Sequence, residues 1–243
     1  EIIKAIAGLS EFFMKENSVI YDLGCSTGNI ISSLSKLNLS NYIEIYGVDR
    51  EEHMLKIAET KLKKLKVKKN IKISFIKEDV LKLSLKQNNL TICSLLFPFL
   101  KKKDQVILLK KVYKSLEPGG AIIILDKIKS NNVDFENMFG QLYVDFKKNK
   151  KIKNKDIIKK TKSLRSIHTL KTYKETLNML KNVGFKDVEN FFKFINFSGF
   201  IGIKWFIGCL DFFKFIKLLT NLKLSPKNIF PIIYLFHLGV KNQ

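Results

Sequence analysis

Residues 19–29 read Val-Ile-Tyr-Asp-Leu-Gly-Cys-Ser-Thr-Gly-Asn, and this stretch decides the fold. A short apolar run ends in the acid Asp22 and then enters a loop in which Gly24, Ser26 and Gly28 leave little side-chain bulk. Small residues let a ligand approach the backbone closely, and the next helix presents unpaired N–H groups at its start. The stretch therefore predicts a nucleotide-binding turn between a strand and a helix.

Predicted strands and helices alternate around this turn. Further apolar or β-branched runs predict strands at 43–48, 71–76, 90–96 and 121–126, and helical spacing covers 2–15, 30–37, 54–65, 101–116 and 170–183. An antiparallel pair is predicted at 188–197 and 198–204, with its turn at 196–199. This order predicts a doubly wound, Rossmann-like α/β sheet, mostly parallel with an antiparallel carboxyl-terminal strand, which binds its ligand at the carboxyl ends of the strands.

Acidic residues follow the first three predicted strands. Asp22 precedes the glycine loop. Asp49 ends the second strand, where it can accept hydrogen bonds from ribose hydroxyls. Asp79 and Val80 follow the third strand, where they can bracket an adenine ring. Three such positions at successive strand ends predict an adenosyl ligand.

The glycine loop distinguishes between two adenosyl ligands. A dinucleotide fingerprint would need glycines at positions 24, 26 and 29, whereas the chain has Gly24, Ser26 and Asn29. An acid two residues before Gly24 suits the charged amino-acid end of S-adenosylmethionine, which has no pyrophosphate to hold. The loop therefore favours S-adenosylmethionine over NAD.

The charge of the chain is strongly positive, but its basic residues are almost all lysine. The formal net charge is +22 for 243 residues, and Arg50 and Arg165 are the two arginines among 44 basic residues. Arginine is the residue suited to forked recognition of phosphates and base edges, so we expect a solvated lysine surface rather than an RNA groove. Lysines crowd residues 127–163, which we interpret either as a helical lid over the site or as a basic patch for an anionic partner.

The cysteines predict neither a disulfide framework nor a metal site. Cys25, Cys93 and Cys209 are far apart and odd in number, without metal-ligand spacing. We therefore expect a reduced, cytoplasmic compartment and no metal.

The chain divides into a domain and an extension. We expect one S-adenosylmethionine-binding domain at residues 1–205, followed by an apolar, aromatic extension at 206–243. Asp211, Lys214 and Lys217 interrupt the apolar run of the extension, which argues against a membrane span. A helix that packs on the domain or in a dimer is the favoured interpretation, and an interfacial membrane helix is the alternative.

Several motifs resemble a known family. Residues 21–28, 47–49, 78–80 and 116–120 resemble the class I S-adenosylmethionine-dependent methyltransferases. More narrowly, residues 21–28, the Pro-Gly-Gly turn at 118–120, Asp145-Phe146-Lys147, Gly184-Phe185 and residues 194–198 resemble the bacterial carboxy-S-adenosyl-L-methionine synthase family, along residues 1–204.

The resemblance implies a reaction and a set of contacts. Members of that family convert S-adenosylmethionine and prephenate into carboxy-S-adenosylmethionine, which feeds the modification of a tRNA wobble uridine. The resemblance also implies an anionic small-molecule substrate, a homodimer and at most indirect contact with tRNA. The candidate cofactor-binding residues, from the loop and the resemblance together, are Asp22, Gly24, Cys25, Ser26, Gly28, Asp49, Arg50, Asp79, Val80 and Ser94.

The chain departs from the family pattern at two positions. Ser94 stands where the family has asparagine, and Thr161, between Lys160 and Lys162, stands where a family arginine pairs with the transferred carboxylate. Lysine supplies charge but not the planar two-point fork of arginine. Ser94, Lys160, Thr161 and Lys162 are thus the candidate catalytic residues.

Two alternatives to the synthase activity stay open on the sequence. One is a conventional methyltransferase acting on a small acceptor, because methyl transfer needs alignment more than a catalytic base. The other is a noncatalytic, lysine-rich protein that associates with RNA or a membrane.

Overall fold

The predicted glycine turn follows the first strand of the chain, which lies in the interior of a seven-stranded sheet. The computed structural model describes residues 1–38, 40–165 and 167–205, of which residue 165 by its backbone alone. The strands are β1 (Ser18–Leu23), β2 (Ile43–Asp49), β3 (Ile71–Lys77), β4 (Asn88–Ser94), β5 (Leu116–Lys127), β6 (Asp187–Phe194) and β7 (Phe197–Ile203). The 206–243 extension lies outside the described residues, and so do our predictions about it.

Helices follow or precede each strand of the parallel part. They are α1 (Ile2–Glu11), α2 (Asn29–Leu34), α3 (Glu52–Lys63), α4 (Lys102–Ser115), α5 (Val133–Asn149), α6 (Asn154–Arg165) and α7 (Tyr173–Val183), with a short 3-10 turn at Phe97–Phe99. No helix among the described residues is both long enough and apolar enough to cross a membrane.

The strand order is β3-β2-β1-β4-β5-β7-β6. Strands β3, β2, β1, β4 and β5 are parallel, while β7 pairs antiparallel with both β5 and β6. This confirms the predicted mostly parallel, doubly wound sheet. The order in which successive strands are added to the sheet reverses between β1 and β4, and ligands bind at such switch points in open α/β sheets.

Both faces of the sheet are covered, as a doubly wound fold requires. On β5, Ile123 packs on the side of α1, α2 and α3, whereas Ile122 and Ile124 pack on the side of α4 and α7. All three isoleucines are fully buried. Burial on both faces explains why this strand is an almost continuous apolar run rather than an alternating one.

Several predicted boundaries are wrong. Strand β5 begins at Leu116 rather than at 121, so the Pro-Gly-Gly stretch predicted as a turn at 118–120 lies within that strand. The turn of the antiparallel pair falls at Ile195 and Asn196 rather than at 196–199, and Gly199 lies within β7. A Cβ on Gly199 would come within 2.6 Å of the Phe191 ring, so this glycine serves close packing rather than a turn. Helix α7 begins at Tyr173, because Thr172 and Glu175 form a capping box there.

The lysine-rich stretch after β5 forms two helices, α5 and α6. No residue of α5 is buried, and Val133, Phe135, Met138 and Leu142 are each more than half exposed. The described part of the chain therefore leaves an apolar helix face uncovered.

Candidate active site

The parallel register brings the predicted cofactor residues to one edge of the sheet. Asp22 on β1 is in register with Gly47 on β2 and with Ile92 on β4, so these strands end side by side. The glycine loop, Asp49 and Ser94 therefore lie at the carboxyl ends of three adjacent strands. The loop that contains Asp79 and Val80 follows β3, the next strand beyond β2.

The glycine loop is fixed to the end of β2. The backbone N–H groups of Gly24 and Cys25 both donate to the Val48 carbonyl, at 2.8 and 2.9 Å. Gly24, Ser26 and Gly28 have positive φ angles of 72°, 48° and 66°. Two glycines accept such angles without cost, whereas Ser26 needs local support to hold them.

Asp49 provides that support for Ser26. Its Oδ2 accepts a hydrogen bond from the Ser26 N–H at 2.8 Å, and its Oδ1 accepts one from the Glu51 N–H at 3.0 Å. Each carboxylate oxygen retains a lone pair, so Asp49 can still accept bonds from a diol. Arg50, beside it, is exposed and pairs with Glu51 at 3.2 Å.

Asp22 is a buried acid without a partner in the described chain. It is 1% exposed, and neither carboxylate oxygen has a hydrogen-bond partner. Burial, together with the negative charge of Asp49, raises the pKa of Asp22 from its usual 3.8 to about 7. An unpaired carboxylate below the loop favours a cation nearby, which is what the sulfonium or ammonium group of S-adenosylmethionine would supply.

The two described cysteines are not nucleophiles. Burial raises the pKa of the Cys25 thiol, and the charges of Asp22 and Asp49 add to the effect. The pKa of the Cys93 thiol is raised by burial and then by Asp126 and Asp22. Both thiols therefore stay protonated. Cys209 lies outside the described residues.

A lysine that the sequence did not single out fixes the loop after β3. Lys111 on α4 donates from Nζ to the carbonyls of Val80, Leu81 and Leu83, at 3.1, 2.5 and 2.8 Å. Burial lowers the pKa of Lys111, while the charge of Asp79 opposes that shift. Asp79 Oδ1 accepts from the Leu81 N–H at 2.8 Å, so the loop is held from both sides. No local pattern reveals this role, because 28 or more residues separate Lys111 from the carbonyls it binds.

Two of the three candidate catalytic residues on α6 line a common groove. Thr161 Oγ1 donates to the Ile157 carbonyl of its own helix at 2.8 Å. Thr161 and Lys162 line a groove of about 440 Å³ between α5 and α6. Lys160 does not line this groove, and its charge lowers the pKa of Lys147 and of His168. Among the described residues, no group of three or more His, Cys, Asp or Glu is placed to hold a metal ion.

The strand order, the glycine turn after β1 and the acids at the strand ends define the S-adenosylmethionine-dependent methyltransferase class. Residues 20–120 match the family model described as a methyltransferase domain. A carboxy-S-adenosyl-L-methionine synthase from Staphylococcus epidermidis is 34% identical over 206 residues, covering 84% of this chain and 85% of that protein. The chain belongs to the carboxy-S-adenosyl-L-methionine synthase family.

Further comparisons agree with this assignment. A synthase of the same name from Desulfotalea psychrophila is 31% identical over 204 residues, covering 84% of this chain and 82% of that protein. Magnesium protoporphyrin IX methyltransferase from Synechocystis, solved with bound S-adenosylmethionine, superposes with a TM-score of 0.54 at 12% identity over 83% of this chain and 76% of its own. The chain is therefore a transferase with the methyltransferase fold, and its cofactor is S-adenosylmethionine.

Replacing Lys111 by methionine is expected to weaken S-adenosylmethionine binding about tenfold, a change of about 1.4 kcal/mol. Three carbonyls lose their shared donor, so the loop that carries Asp79 and Val80 loosens. Isothermal titration calorimetry measures the effect, and Lys111→Arg is expected to restore part of it. Lys110→Met, which removes an exposed lysine from the same helix, is the control. Unchanged affinity in the Lys111 variant would contradict the positioning role.

Proposed function

We propose that this chain converts S-adenosylmethionine and prephenate into carboxy-S-adenosylmethionine. The observation that carries the proposal is the similarity to synthases of that name along more than four fifths of the chain. The partnerless carboxylate of Asp22 below the glycine loop supports it, because the cofactor is cationic. Membership of a family of enzymes favours this activity over noncatalytic binding to RNA or a membrane.

Each part of the cofactor has a matching group at the carboxyl edge of the sheet. We assign the ribose hydroxyls to Asp49, the adenine to Asp79 and Val80, and the amino-acid end to the loop from Gly24 to Gly28. Asp22 compensates the positive charge from below, and Ser94 lies at the end of the adjacent strand β4. Arg50 is placed to join the site only if its pair with Glu51 opens.

The protein contributes orientation and electrostatics to this reaction. When bound, S-adenosylmethionine supplies an electrophilic sulfonium centre, and the chain has to align it with the second substrate. Asp49 holds the Ser26 end of the loop, and Lys111 holds the adenine side. No described thiol is available as a base, which agrees with chemistry driven by alignment.

One observation favours a second candidate, a conventional methyltransferase acting on a small acceptor. Thr161 is bonded to its own helix and offers no fork for the carboxylate that the family arginine binds. Methyl transfer does not need such a fork, so the same scaffold would serve both reactions.

The cellular context follows as a proposal from the same family. We propose a cytoplasmic enzyme whose product is used to modify a tRNA wobble uridine, with no direct tRNA contact of its own. We also propose a homodimer that covers the apolar face of α5, where Met138 and Leu142 are exposed. Light scattering of the purified protein measures its mass, and a monomer at micromolar concentration would contradict the dimer.

Mass spectrometry of the nucleotide product tests the reaction. The purified protein is incubated with S-adenosylmethionine, with and without prephenate. We expect the mass to increase by one carboxylate only when prephenate is present. Unchanged S-adenosylmethionine in both mixtures would contradict the synthase activity, and methyl transfer to an added acceptor would then favour the second candidate.

A further inference from the structure

Two lysines converge on one aromatic ring at the carboxyl edge of the sheet. Lys147 Nζ lies 4.1 Å from the centre of the Tyr143 ring, and Lys127 Nζ lies 6.0 Å from it. Lys127 is the last residue of β5, whereas Tyr143 and Lys147 are one turn apart on α5. Tyr143 is itself held against Phe197 of β7, with 5.1 Å between ring centres.

Further positive charge surrounds this pair without a compensating acid. Burial lowers the pKa of Lys147, and the charges of Lys160 and Lys127 lower it further. Among the described residues, Lys127, Lys147 and Lys160 form no ion pair within 4.0 Å. Of the acids nearest in sequence, Asp126 is buried and its charge interacts with Lys171, and Asp145 accepts a hydrogen bond from Gln141 at 2.9 Å.

The lysine-rich composition does not account for this arrangement. A solvated lysine keeps its ammonium group in water and apart from other cations. Here Lys127 and Lys147 are only partly exposed, and both ammonium groups approach the same ring. In the protein without a ligand, repulsion between these partly buried cations raises the free energy of the folded state. An anion bound between them would lower that free energy.

The lysine pair lies close to the cofactor edge. Strand β5 is the neighbour of β4, and Ser94 at the end of β4 is in register with Leu125. Since neighbouring strands lie about 4.8 Å apart, the backbone of Lys127 at the end of β5 lies about two strand spacings from the glycine loop after β1. A carboxylate held by the lysines would therefore lie beside the cofactor.

We propose that Lys127 and Lys147, placed on the ring of Tyr143, bind a carboxylate of the second substrate. This subsite rests on the proposed synthase function, and it supplies the charge that Thr161 does not. Two ammonium groups act as point charges rather than as a fork, so binding depends on electrostatic attraction more than on geometry. Prephenate carries two carboxylates, one of which these lysines would hold while the rest of the molecule faces the cofactor.

Methionine substitutions test the subsite, since methionine keeps the apolar part of the lysine side chain. The variants are Lys127→Met and Lys147→Met. The matched control is Lys148→Met, which removes an exposed lysine of the same helix that lines the groove beside Thr161. Calorimetry measures prephenate binding to protein loaded with S-adenosylhomocysteine, and separately the binding of S-adenosylmethionine. Thermal melting confirms that each variant is folded.

We expect each subsite variant to bind prephenate at least tenfold more weakly, with S-adenosylmethionine affinity unchanged within twofold. Lys148→Met should match the wild type, Lys147→Arg should retain prephenate binding, and added KCl should weaken binding more in the wild type than in Lys147→Met. Unchanged prephenate affinity in both subsite variants, or no prephenate binding by the wild type, would overturn the subsite. Wild-type binding without formation of carboxy-S-adenosylmethionine would instead overturn the synthase function, and the binding comparison would still decide on the subsite.

Discussion

At pH 8, Asp22→Asn is expected to raise the melting temperature of the cofactor-free protein by about 5 °C and to weaken its S-adenosylmethionine binding about tenfold. Both effects come from one buried carboxylate that has no partner in the described chain. The substitution removes the negative charge while keeping the size of the side chain. Stability and cofactor binding should therefore change in opposite directions.

The sign of the stability change follows from proton binding. The pKa of Asp22 is raised from its usual 3.8 to about 7, so the folded state binds this proton more tightly than the unfolded state. The contribution of Asp22 to the free energy of unfolding is highest below pH 4, declines as the pH rises from about 4 to 7, and stays low above pH 7. Since one pKa unit corresponds to about 1.4 kcal/mol, the ionised Asp22 lowers the free energy of unfolding by at most about 4 kcal/mol.

The asparagine variant avoids the cost of the buried charge but adds the smaller cost of a buried amide. A buried amide without partners loses about 1–3 kcal/mol, so the net gain at pH 8 is about 2 kcal/mol, or about 5 °C in a domain of this size. At pH 4 the wild-type acid is also neutral, and the two proteins should melt at similar temperatures. Differential scanning calorimetry at both pH values checks this, with the exposed Asp187→Asn as control.

Cofactor binding should show the complementary pH dependence. A bound cation stabilises the ionised form of Asp22, so wild-type affinity should rise as the pH increases through 7. The variant lacks this rise, and comparing the two proteins cancels the titration of the ligand itself. Equal pH profiles for the two proteins would show that Asp22 does not interact with the cofactor charge.

The sequence predicted the sheet and the edge that carries the site. Alternating helical and apolar patterns are local signals, and an acid at the end of a buried strand is visible in the chain itself. The sequence thus placed Asp22 and Asp49 at one edge, because parallel strands must end at a common edge. Residues 196–199 were misread as a turn, because the glycine that suggested one serves packing against Phe191.

The parts that could not be predicted depend on contacts between distant segments. Lys111 meets the loop after β3 only once α4 has packed on the sheet. Lys127 and Lys147 meet on Tyr143 only after α5 has folded back over the end of β5. The sequence showed that Thr161 departs from the family pattern, but only the fold indicates where else a carboxylate could find positive charge.

Asp49→Ala is expected to weaken S-adenosylmethionine binding at least a hundredfold, or about 3 kcal/mol. The carboxylate accepts hydrogen bonds from the N–H groups of Ser26 and Glu51, and we assign the ribose hydroxyls to it as well. Its removal therefore deletes ligand contacts and also releases Ser26 from its positive φ angle of 48°. Asp49→Asn keeps an acceptor and should lose less affinity than alanine. Calorimetry measures all three proteins, and Glu59→Ala on the exposed side of α3 controls for the change in net charge.

The same variant connects Asp49 to Asp22. The negative charge of Asp49 contributes to the raised pKa of Asp22, second to burial, so its loss should lower that pKa. The fall in stability between pH 4 and pH 7 should then become smaller in Asp49→Ala than in the wild type. Wild-type affinity for S-adenosylmethionine in Asp49→Ala would contradict the ribose assignment, whereas an unchanged stability profile would contradict only the coupling between the two acids. The two measurements therefore separate what Asp49 does for the ligand from what it does to the charge below the loop.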